Sequence, residues 1–212
     1  MVKLYAADID TLPDPREAEV LMKLLCAQRR EKVLRYLQAD DRKRSLGAWL
    51  LLRKVLSCHG VRPDDIQIAE GGKPFAEGIS FNLSHSGRMV VCAVGEKNVG
   101  CDVEKIAEAP DQVAERFFHP KELEYLKSCD DEDKNECFFR LWTMKESYMK
   151  MTGEGMRLPF NRFEIVPEEG SFGVRRDGHL LACSLMEYRI SGYRAAVCAE
   201  EPISPAIIYK KL

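Results

Sequence analysis

The sequence predicts an α+β protein made of two similar halves in a pseudo-twofold arrangement, and three observations support this class. First, helical and strand patterns alternate along the 212 residues. Second, Trp49 lies eleven residues before Gly60, and Trp142 lies eleven before Gly153, each pair near the end of a long predicted helix. Such spacing at the same structural position indicates an internal repeat.

The third observation is a repeated tripeptide in the predicted strands. Val-Cys-Ala occurs at residues 91–93 and again at residues 197–199. Together with the two helices it favours an N-terminal α+β half of residues 1–104 and a C-terminal half of residues 105–212. The alternative is a chance similarity within an ordinary α+β protein.

The elements of the first half follow from periodicity and turn residues. Residues 3–9 read as a strand, and residues 15–27 as an amphipathic helix that begins near its proline. Residues 28–60 predict a short basic helix followed by a longer one. Residues 66–106 show the alternation and turn residues of a small antiparallel sheet.

The second half repeats this order. Residues 111–128 predict two helices broken at Pro120, because proline cannot continue a helix from the preceding residue. Residues 132–155 predict a long helix that ends at Gly153. The pattern from about Pro159 onward is typical of strands.

Composition restricts the classes of function. A net charge of −2 gives no global signal for nucleic acid, and the apolar runs are too short to span a membrane. The first residues lack the apolar core of a signal peptide. None of the eight cysteines forms a C-x-x-C pair, so we expect buried free thiols in a reducing cytoplasm.

Asp102 and Glu104 stand two positions apart in the predicted strand Gly-Cys-Asp-Val-Glu-Lys. Alternate side chains of a strand share a face, so the two carboxylates lie about 7 Å apart. At an effective dielectric of ~20 they repel by roughly 2 kcal/mol. Spacing alone leaves two interpretations open: a cation site, or a solvated edge strand whose charges prevent aggregation.

Glu146 is the third acidic candidate, on a helix face that also carries aromatic and apolar residues. A carboxylate in such surroundings is costly to bury without a partner. Lys150, four residues on, is the simplest partner, and a solvated pair of this kind contributes about 0.3–0.5 kcal/mol. The alternative joins Glu146 with Asp102 and Glu104 around a hard cation. Magnesium fits best, because it uses few carboxylates and takes further ligands from phosphates.

Several segments offer donors for an anion. A basic run between residues 28 and 45 holds Arg29, Arg30, Lys32, Arg35, Arg42, Lys43 and Arg44. Lys73 follows two glycines, and the segment Ser84-His85-Ser86 ends a strand with groups that donate hydrogen bonds to phosphate. Each has an ordinary alternative: a solvated helix face, a simple turn and a hairpin turn. The nucleophile elbow and the Walker and Rossmann glycine patterns are absent from the sequence.

In this order the motifs resemble a known family, the 4′-phosphopantetheinyl transferases, in particular the surfactin-synthetase-activating type with two fused halves. The matching segments are Gly72-Lys73-Pro74, Phe81-Asn82 with Ser84-His85-Ser86, a G-x-D-x-E motif at 100–104, Arg116-Phe117-Phe118, and a W-x-x-K-E-S-x-x-K motif at 142–150. Each motif alone is weak, but the ordered set is specific. Cys101 replaces the usual aliphatic residue of the G-x-D-x-E motif.

The resemblance implies the transferase fold of that family, with the active site in the cleft between the halves. It also implies a reaction: the phosphopantetheine arm of coenzyme A moves to a serine of an apo acyl or peptidyl carrier protein, and adenosine 3′,5′-bisphosphate is released. By this resemblance Asp102, Glu104 and Glu146 hold Mg²⁺. Glu146 or Glu104 takes the serine proton, directly or through a water, and Lys150 stabilises the charge of the pyrophosphate.

The same resemblance assigns residues to coenzyme A and suggests Glu122 as a weaker active-site acid. The expected contacts with coenzyme A come from Arg29, Lys32, Arg44, Ser45, Lys73, Pro74, Ser84, His85 and Lys150. Its other implications are a carrier-protein partner and a monomeric cytoplasmic enzyme without nucleic acid or membrane. Two rival functions use the same residues: a magnesium-dependent nucleotide phosphohydrolase, and a non-enzymatic module that binds coenzyme A or a carrier.

Overall fold

The computed structural model describes residues 1–68, 74–169 and 171–212, which form both helices and strands. The helices of these residues are α1 (Glu19–Met22), α2 (Ala27–Arg35), α3 (Ala39–Ser57), α4 (Asp111–Phe117), α5 (Pro120–Ser128) and α6 (Lys134–Thr152). Their strands are β1 (Val2–Asp8), β2 (Gln67–Ile68), β3 (Pro74–Phe75), β4 (Ser80–Ser86), β5 (Met89–Gly95), β6 (Val99–Lys105), β7 (Phe163–Glu168), β8 (Ser171–Arg176), β9 (His179–Leu180), β10 (Ser184–Ile190), β11 (Tyr193–Ala199) and β12 (Ile203–Tyr209). This mixture confirms the α+β class.

The strands form two main sheets, and each sheet includes one strand that is distant in sequence from its other strands. The first has the order β12-β1-β5-β4, with the last strand of the chain running parallel to the first. The second has the order β6-β11-β10-β8-β7, with β9 paired to β8. The sequence placed β6 in one small sheet with β4 and β5, and this is wrong. Strand periodicity reveals a strand but not its partner, and β6 pairs with β11, with Asp102 opposite Ala196.

The division of the chain after residue 104 remains a prediction. The structure shows where the chain changes sheets: residues 96–98 connect β5 to β6, and residues 200–202 connect β11 to β12. Because each connection crosses from one sheet to the other, the two halves are linked by strand pairing as well as by packing.

Three apolar cores hold the layers together. Helix α3 packs on one face of the first sheet, where Val90, Cys92 and Val94 point toward it. Helix α6 packs on the outer face of the second sheet. Side chains on the other face of the central strands, such as Val91 and Val197, form a third core between the sheets. The alternation of a strand therefore gives each central strand two buried faces.

Most predicted helices are confirmed, including the break at Pro120 and a left-handed Gly153 (φ +69°) that caps α6. The helix expected over 15–27 is wrong, since only Glu19–Met22 is helical. The Asp14 carboxylate explains the difference. It accepts a hydrogen bond from the Arg16 amide, which favours a turn, and it pairs with the buried Arg42.

All eight cysteines are free thiols, as expected, but they are not uniformly buried. Cys92, Cys101 and Cys198 are buried, whereas Cys26 and Cys58 are exposed. Within the ranges that the structure describes, no helix is both long and apolar enough to cross a membrane.

Candidate active site

The site begins with strand β6, whose two faces differ in chemistry. Val99, Cys101 and Val103 are buried in the core between the sheets. The alternate residues, Gly100 and the two acids that follow it, share the other face, against which α6 packs. A Cβ atom at position 100 would lie 2.1 Å from the backbone oxygen of Ser147. Only glycine lets the helix approach this closely, and the approach places side chains of α6 beside the acids.

Asp102 lies at the centre of the site and is 2% exposed. Its Oδ1 atom accepts hydrogen bonds from the Lys150 ammonium at 2.6 Å and from the Ser84 hydroxyl at 2.7 Å. Lys150 also donates to the Ser84 oxygen at 3.1 Å. The Oδ2 atom of Asp102 is buried and has no hydrogen-bond partner among the described residues. An unpaired buried carboxylate oxygen is costly, so this atom is suited to accept a donor or bind a cation.

Glu104 and Glu146 are half-buried near Asp102. Burial, and then the charge of Asp102, raise the pKa of Glu104 above its ordinary value. Burial also raises the pKa of Glu146, with Asp102 adding to the effect and Lys150 opposing it. The expected repulsion between the acids of β6 therefore exists, and Glu146 contributes to it.

The residues fit a cation only in part. Among residues 1–68, 74–169 and 171–212, no three His, Cys, Asp or Glu side chains lie close enough together to hold a metal by themselves. The unpaired Oδ2 of Asp102, and the charge of Asp102 that adds to burial in raising the pKa values of Glu104 and Glu146, nevertheless favour a positive charge here. Magnesium commonly uses one or two carboxylates and completes its shell with phosphate and water. These carboxylates suit such partial coordination better than a site at which the protein supplies every ligand.

Lys150 combines partial burial with a fixed charge. About 29% of its side chain is exposed. Burial disfavours the charged ammonium, but the neighbouring Asp102 carboxylate outweighs this and raises the pKa of Lys150. The residue therefore presents a permanent positive charge beside Asp102, whose Oδ2 atom has no hydrogen-bond partner among the described residues.

An apolar cavity of about 780 Å³ opens from these charges. Glu146 and Lys150 are on its wall. Its other lining residues are largely apolar and include Pro74, Phe81, Phe117, Met149, Leu158 and Phe160. They come from residues 74–83 and from residues 116–161, so two distant segments of the chain form the walls of this cleft. Its wall therefore combines apolar side chains with the charged Arg116, Glu146 and Lys150.

A second set of donors lies on α2 and α3. Arg29 is buried with its guanidinium 5.0 Å from the centre of the Trp49 ring, and its Nε atom has no partner in the described part of the chain. The Ser45 hydroxyl is also buried and unpaired there. Lys32 is exposed, and desolvation followed by the charge of Arg29 lowers its pKa. Two buried donors without a protein partner, together with the charge of Lys32 near Arg29, suit an anion.

The remaining predicted residues are arranged differently. Arg44 pairs with Asp41 at 2.6 Å and donates to the Gly87 carbonyl at 3.3 Å. His85 is exposed at the end of β4, and desolvation together with the charges of Arg44 and Lys150 lowers its pKa. Pro74 lines the apolar cavity. Lys73 lies outside the described residues.

Glu122, the weaker acidic candidate, has a structural role. It is 2% exposed and forms an ion pair with the fully buried Lys145 at 2.8 Å. It also accepts hydrogen bonds from the backbone amides of Ile165 and His119. With both oxygens occupied, Glu122 has no capacity left for chemistry.

Sequence reasoning missed the role of Ser86. Its hydroxyl donates to Glu104 Oε2 at 2.7 Å, and its oxygen accepts from the Lys105 amide. Ser84 and Asp102 repeat this arrangement one step along the strands. The matching two-residue spacing of Ser84 and Ser86 with Asp102 and Glu104 was the available signal, but pairing them required knowing that β4 lies beside β6.

Comparison with known proteins gives the family. A family model described as the 4′-phosphopantetheinyl transferase superfamily matches residues 98–198, and one described as the N-terminal region of 4′-phosphopantetheinyl transferase matches residues 12–97. A 4′-phosphopantetheinyl transferase of Bacillus subtilis is 33% identical over 210 residues, which cover 95% of this chain and 93% of the relative. The chain belongs to the 4′-phosphopantetheinyl transferase family. The resemblance inferred from the ordered motifs is therefore confirmed, and the chain is a transferase.

Other members of the 4′-phosphopantetheinyl transferase family match over a similar length. The 4′-phosphopantetheinyl transferase Sfp of Bacillus subtilis strain 168 is 32% identical over 96% of this chain and 95% of its own. Among solved structures, a holo-(acyl-carrier-protein) synthase from Bacillus anthracis in complex with CoA (3′,5′-ADP) matches with a TM-score of 0.42 and 17% identity. That match covers 48% of this chain and 93% of the synthase.

Proposed function

We propose that this chain transfers the 4′-phosphopantetheine arm of coenzyme A to a serine hydroxyl of an apo acyl or peptidyl carrier protein. A phosphoanhydride bond of coenzyme A breaks, a serine–phosphate bond forms, and adenosine 3′,5′-bisphosphate leaves. One observation supports this most directly: Glu146 and Lys150 lie on the wall of an apolar cleft of about 780 Å³. The charged side chains of the wall suit the pyrophosphate, and its apolar side chains suit the pantetheine arm.

Asp102, Glu104 and Glu146 are the residues that would hold Mg²⁺. When bound, the ion would offset the negative charge of the pyrophosphate. The buried Oδ2 atom of Asp102, which has no hydrogen-bond partner among the described residues, supports this assignment. Lys150 adds a fixed positive charge from the protein, and the Ser84 hydroxyl holds both Lys150 and Asp102 in place.

Glu146 is the better of the two candidates for the general base. Glu104 accepts a hydrogen bond from Ser86, whereas no described residue donates a hydrogen bond to Glu146. Glu146 also lines the cleft, where an incoming serine hydroxyl would have to enter. Burial raises its pKa toward neutrality, which makes the carboxylate a stronger base than a solvated one.

The nucleotide end of coenzyme A has a separate anchor in this proposal. Arg29, Lys32 and Ser45 would bind the 3′-phosphate, because the Arg29 Nε and Ser45 Oγ atoms are buried donors without a protein partner. Arg44 would also contact the 3′-phosphate, and His85 and Ser84 would contact the phosphates of coenzyme A. Lys73 and Pro74 would approach the adenine end.

We also propose that the enzyme is a monomer in the cytoplasm. The two sheets already cover each other's inner faces through the core that Val91 and Val197 share. All eight cysteines are free, as a reducing compartment permits. Neither nucleic acid nor a membrane is needed for the reaction.

One assay tests the transferase function against its rivals. The purified chain is mixed with coenzyme A, Mg²⁺ and a panel of apo carriers from fatty-acid, polyketide and non-ribosomal peptide synthesis. Mass spectrometry should show a carrier heavier by one phosphopantetheine, and a carrier whose acceptor serine is alanine should stay unchanged. Consumption of coenzyme A without a carrier would indicate a hydrolase instead. Binding without any turnover would indicate a non-enzymatic module.

A further inference from the structure

The turn between β4 and β5 belongs to the first half but is held by a side chain of the second. Gly87, in the turn, has a positive φ of +53°, and a Cβ there would lie 2.6 Å from the Tyr193 hydroxyl oxygen. The Arg88 amide donates a hydrogen bond to that oxygen at 3.0 Å. Tyr193 itself begins β11 and is 6% exposed. A buried, well-packed phenol therefore fixes a turn whose glycine would otherwise be conformationally free.

This turn lies beside two residues that are proposed to contact the phosphates of coenzyme A. His85 lies two residues before Gly87, and the Gly87 carbonyl accepts a hydrogen bond from Arg44 at 3.3 Å. Arg44, Gly87, Arg88 and Tyr193 also line a polar cavity of about 270 Å³, whose other walls include Lys43 and Lys105. A shift of the turn would displace His85 and the guanidinium of Arg44 together.

We propose that the Tyr193 hydroxyl is a positioning group for coenzyme A: by holding the Gly87–Arg88 turn, it places His85 and Arg44 to bind the phosphates. This inference rests on the proposed function. No hydrogen bond in the described part of the chain joins Tyr193 to Asp102, Glu146 or Lys150. Tyr193 should therefore affect the binding of coenzyme A rather than the transfer step.

The test compares Tyr193→Phe with a matched control, Tyr188→Phe. Tyr188 is also buried in the core between the sheets, but its hydroxyl donates to the Ser204 carbonyl of β12 and not to the turn. Calorimetry should show that Tyr193→Phe weakens the binding of coenzyme A about five- to tenfold, the effect of one lost hydrogen bond. The KM for coenzyme A should rise by the same factor while kcat stays within about twofold. Tyr188→Phe should leave both constants unchanged.

A second measurement separates positioning from a general loss of stability. Amide hydrogen exchange at Arg88 should become faster in Tyr193→Phe than in Tyr188→Phe, because only the first variant removes the acceptor of that amide. Equal affinity of Tyr193→Phe and wild type for coenzyme A would overturn the inference, and so would an equal loss in both variants. A fall in kcat with an unchanged KM would also overturn it. A wild-type chain that binds no coenzyme A would overturn the proposed function first, and this inference with it.

Discussion

Two lysines of helix α6, Lys145 and Lys150, each pair with a buried carboxylate, and the two carboxylates differ in whether both oxygens have a partner. Lys145 is fully buried, and its ammonium donates to Glu122 at 2.9 Å and to the Phe163 carbonyl at 2.7 Å. Glu122 in turn accepts from backbone amides, so both of its oxygens are occupied. Lys150 pairs with Asp102 at 2.6 Å, but Asp102 keeps one buried oxygen unpaired.

The difference shows which charge stabilises the fold and which is available for chemistry. The Lys145–Glu122 pair joins α6 to α5 and to the start of β7, and it presents nothing to solvent. In the Lys150–Asp102 pair, by contrast, Lys150 lines the cleft. Burial is similar for the two carboxylates, so burial alone does not identify a site. The unpaired oxygen does.

The largest expected effect tests the carboxylates beside Lys150. Asp102→Asn and Glu146→Gln keep side-chain shape but remove a negative charge, so each should lower transfer about 10³-fold or more. Carrier modification followed by mass spectrometry measures the loss, and melting temperature shows whether the fold is kept. If either variant retains near-full turnover, the site assignment of that carboxylate is wrong.

Matched substitutions of the two lysines test the comparison itself. Lys145→Met leaves Glu122 buried without its cation and should lower the free energy of unfolding by about 3–5 kcal/mol, measured by urea denaturation. Lys150→Met should lower kcat about 10²–10³-fold, the usual effect of one charge-stabilising donor, with a smaller loss of stability. The double variant Glu122→Gln/Lys145→Met should recover part of the lost stability. Equal stability losses at 145 and 150 would remove the distinction between the pairs.

A smaller effect concerns the hydrogen-bond donors on α2 and α3 that have no protein partner. Arg29→Met preserves the packing on Trp49 but removes the charge. The variant should bind coenzyme A more weakly, since a lost charge-assisted hydrogen bond costs about 1.5–3 kcal/mol. Wild type should prefer coenzyme A over 3′-dephospho-coenzyme A, mainly through KM, and Arg29→Met should lose most of that preference. Arg44→Ala should lose a smaller part of the preference, because Arg44 also has a protein partner, Asp41. An unchanged preference in Arg29→Met would contradict this anchor.

The smallest effect is on stability and depends on pH. The pKa values of Glu104 and Glu146 are raised in the folded protein, so the folded state binds more protons than the unfolded state just above the ordinary pKa of glutamate. The stability contributed by these groups is therefore lost as pH rises through that window. Glu146→Gln should raise the melting temperature of the metal-free protein at pH 7.5, by about 2–4 °C for each kcal/mol removed. The gain should vanish near pH 3.5.

The exposed Glu31 provides a control for that measurement. Its substitution Glu31→Gln lies on α2, with most of the side chain in solvent, and should not change the melting temperature at either pH. A gain for Glu146→Gln that persists at pH 3.5 would show that the effect does not come from the ionised carboxylate.

Local sequence predicted the motif residues and most helices and strands, but not the short helix α1, which is restricted to Glu19–Met22. The spacing of apolar residues, Pro120 and Gly153 fixed the bounds of α5 and α6, because these signals act within one turn of chain. The two-residue spacing of Asp102 and Glu104 placed both carboxylates on one face of a strand. The order of motifs identified the family before any contact was known.

Only the tertiary structure decided which partner each charged residue meets. The pairing of β6 with β11, rather than with its sequence neighbours, brings Gly100 against α6, and thus Lys150 against Asp102. Glu122 and Asp102 both follow aromatic or apolar stretches in the sequence, yet one is saturated and the other keeps a free oxygen. That difference depends on donors supplied from 23 to 48 positions away along the chain. Local sequence does not encode such long-range proximity, because it arises only when the two sheets pack together.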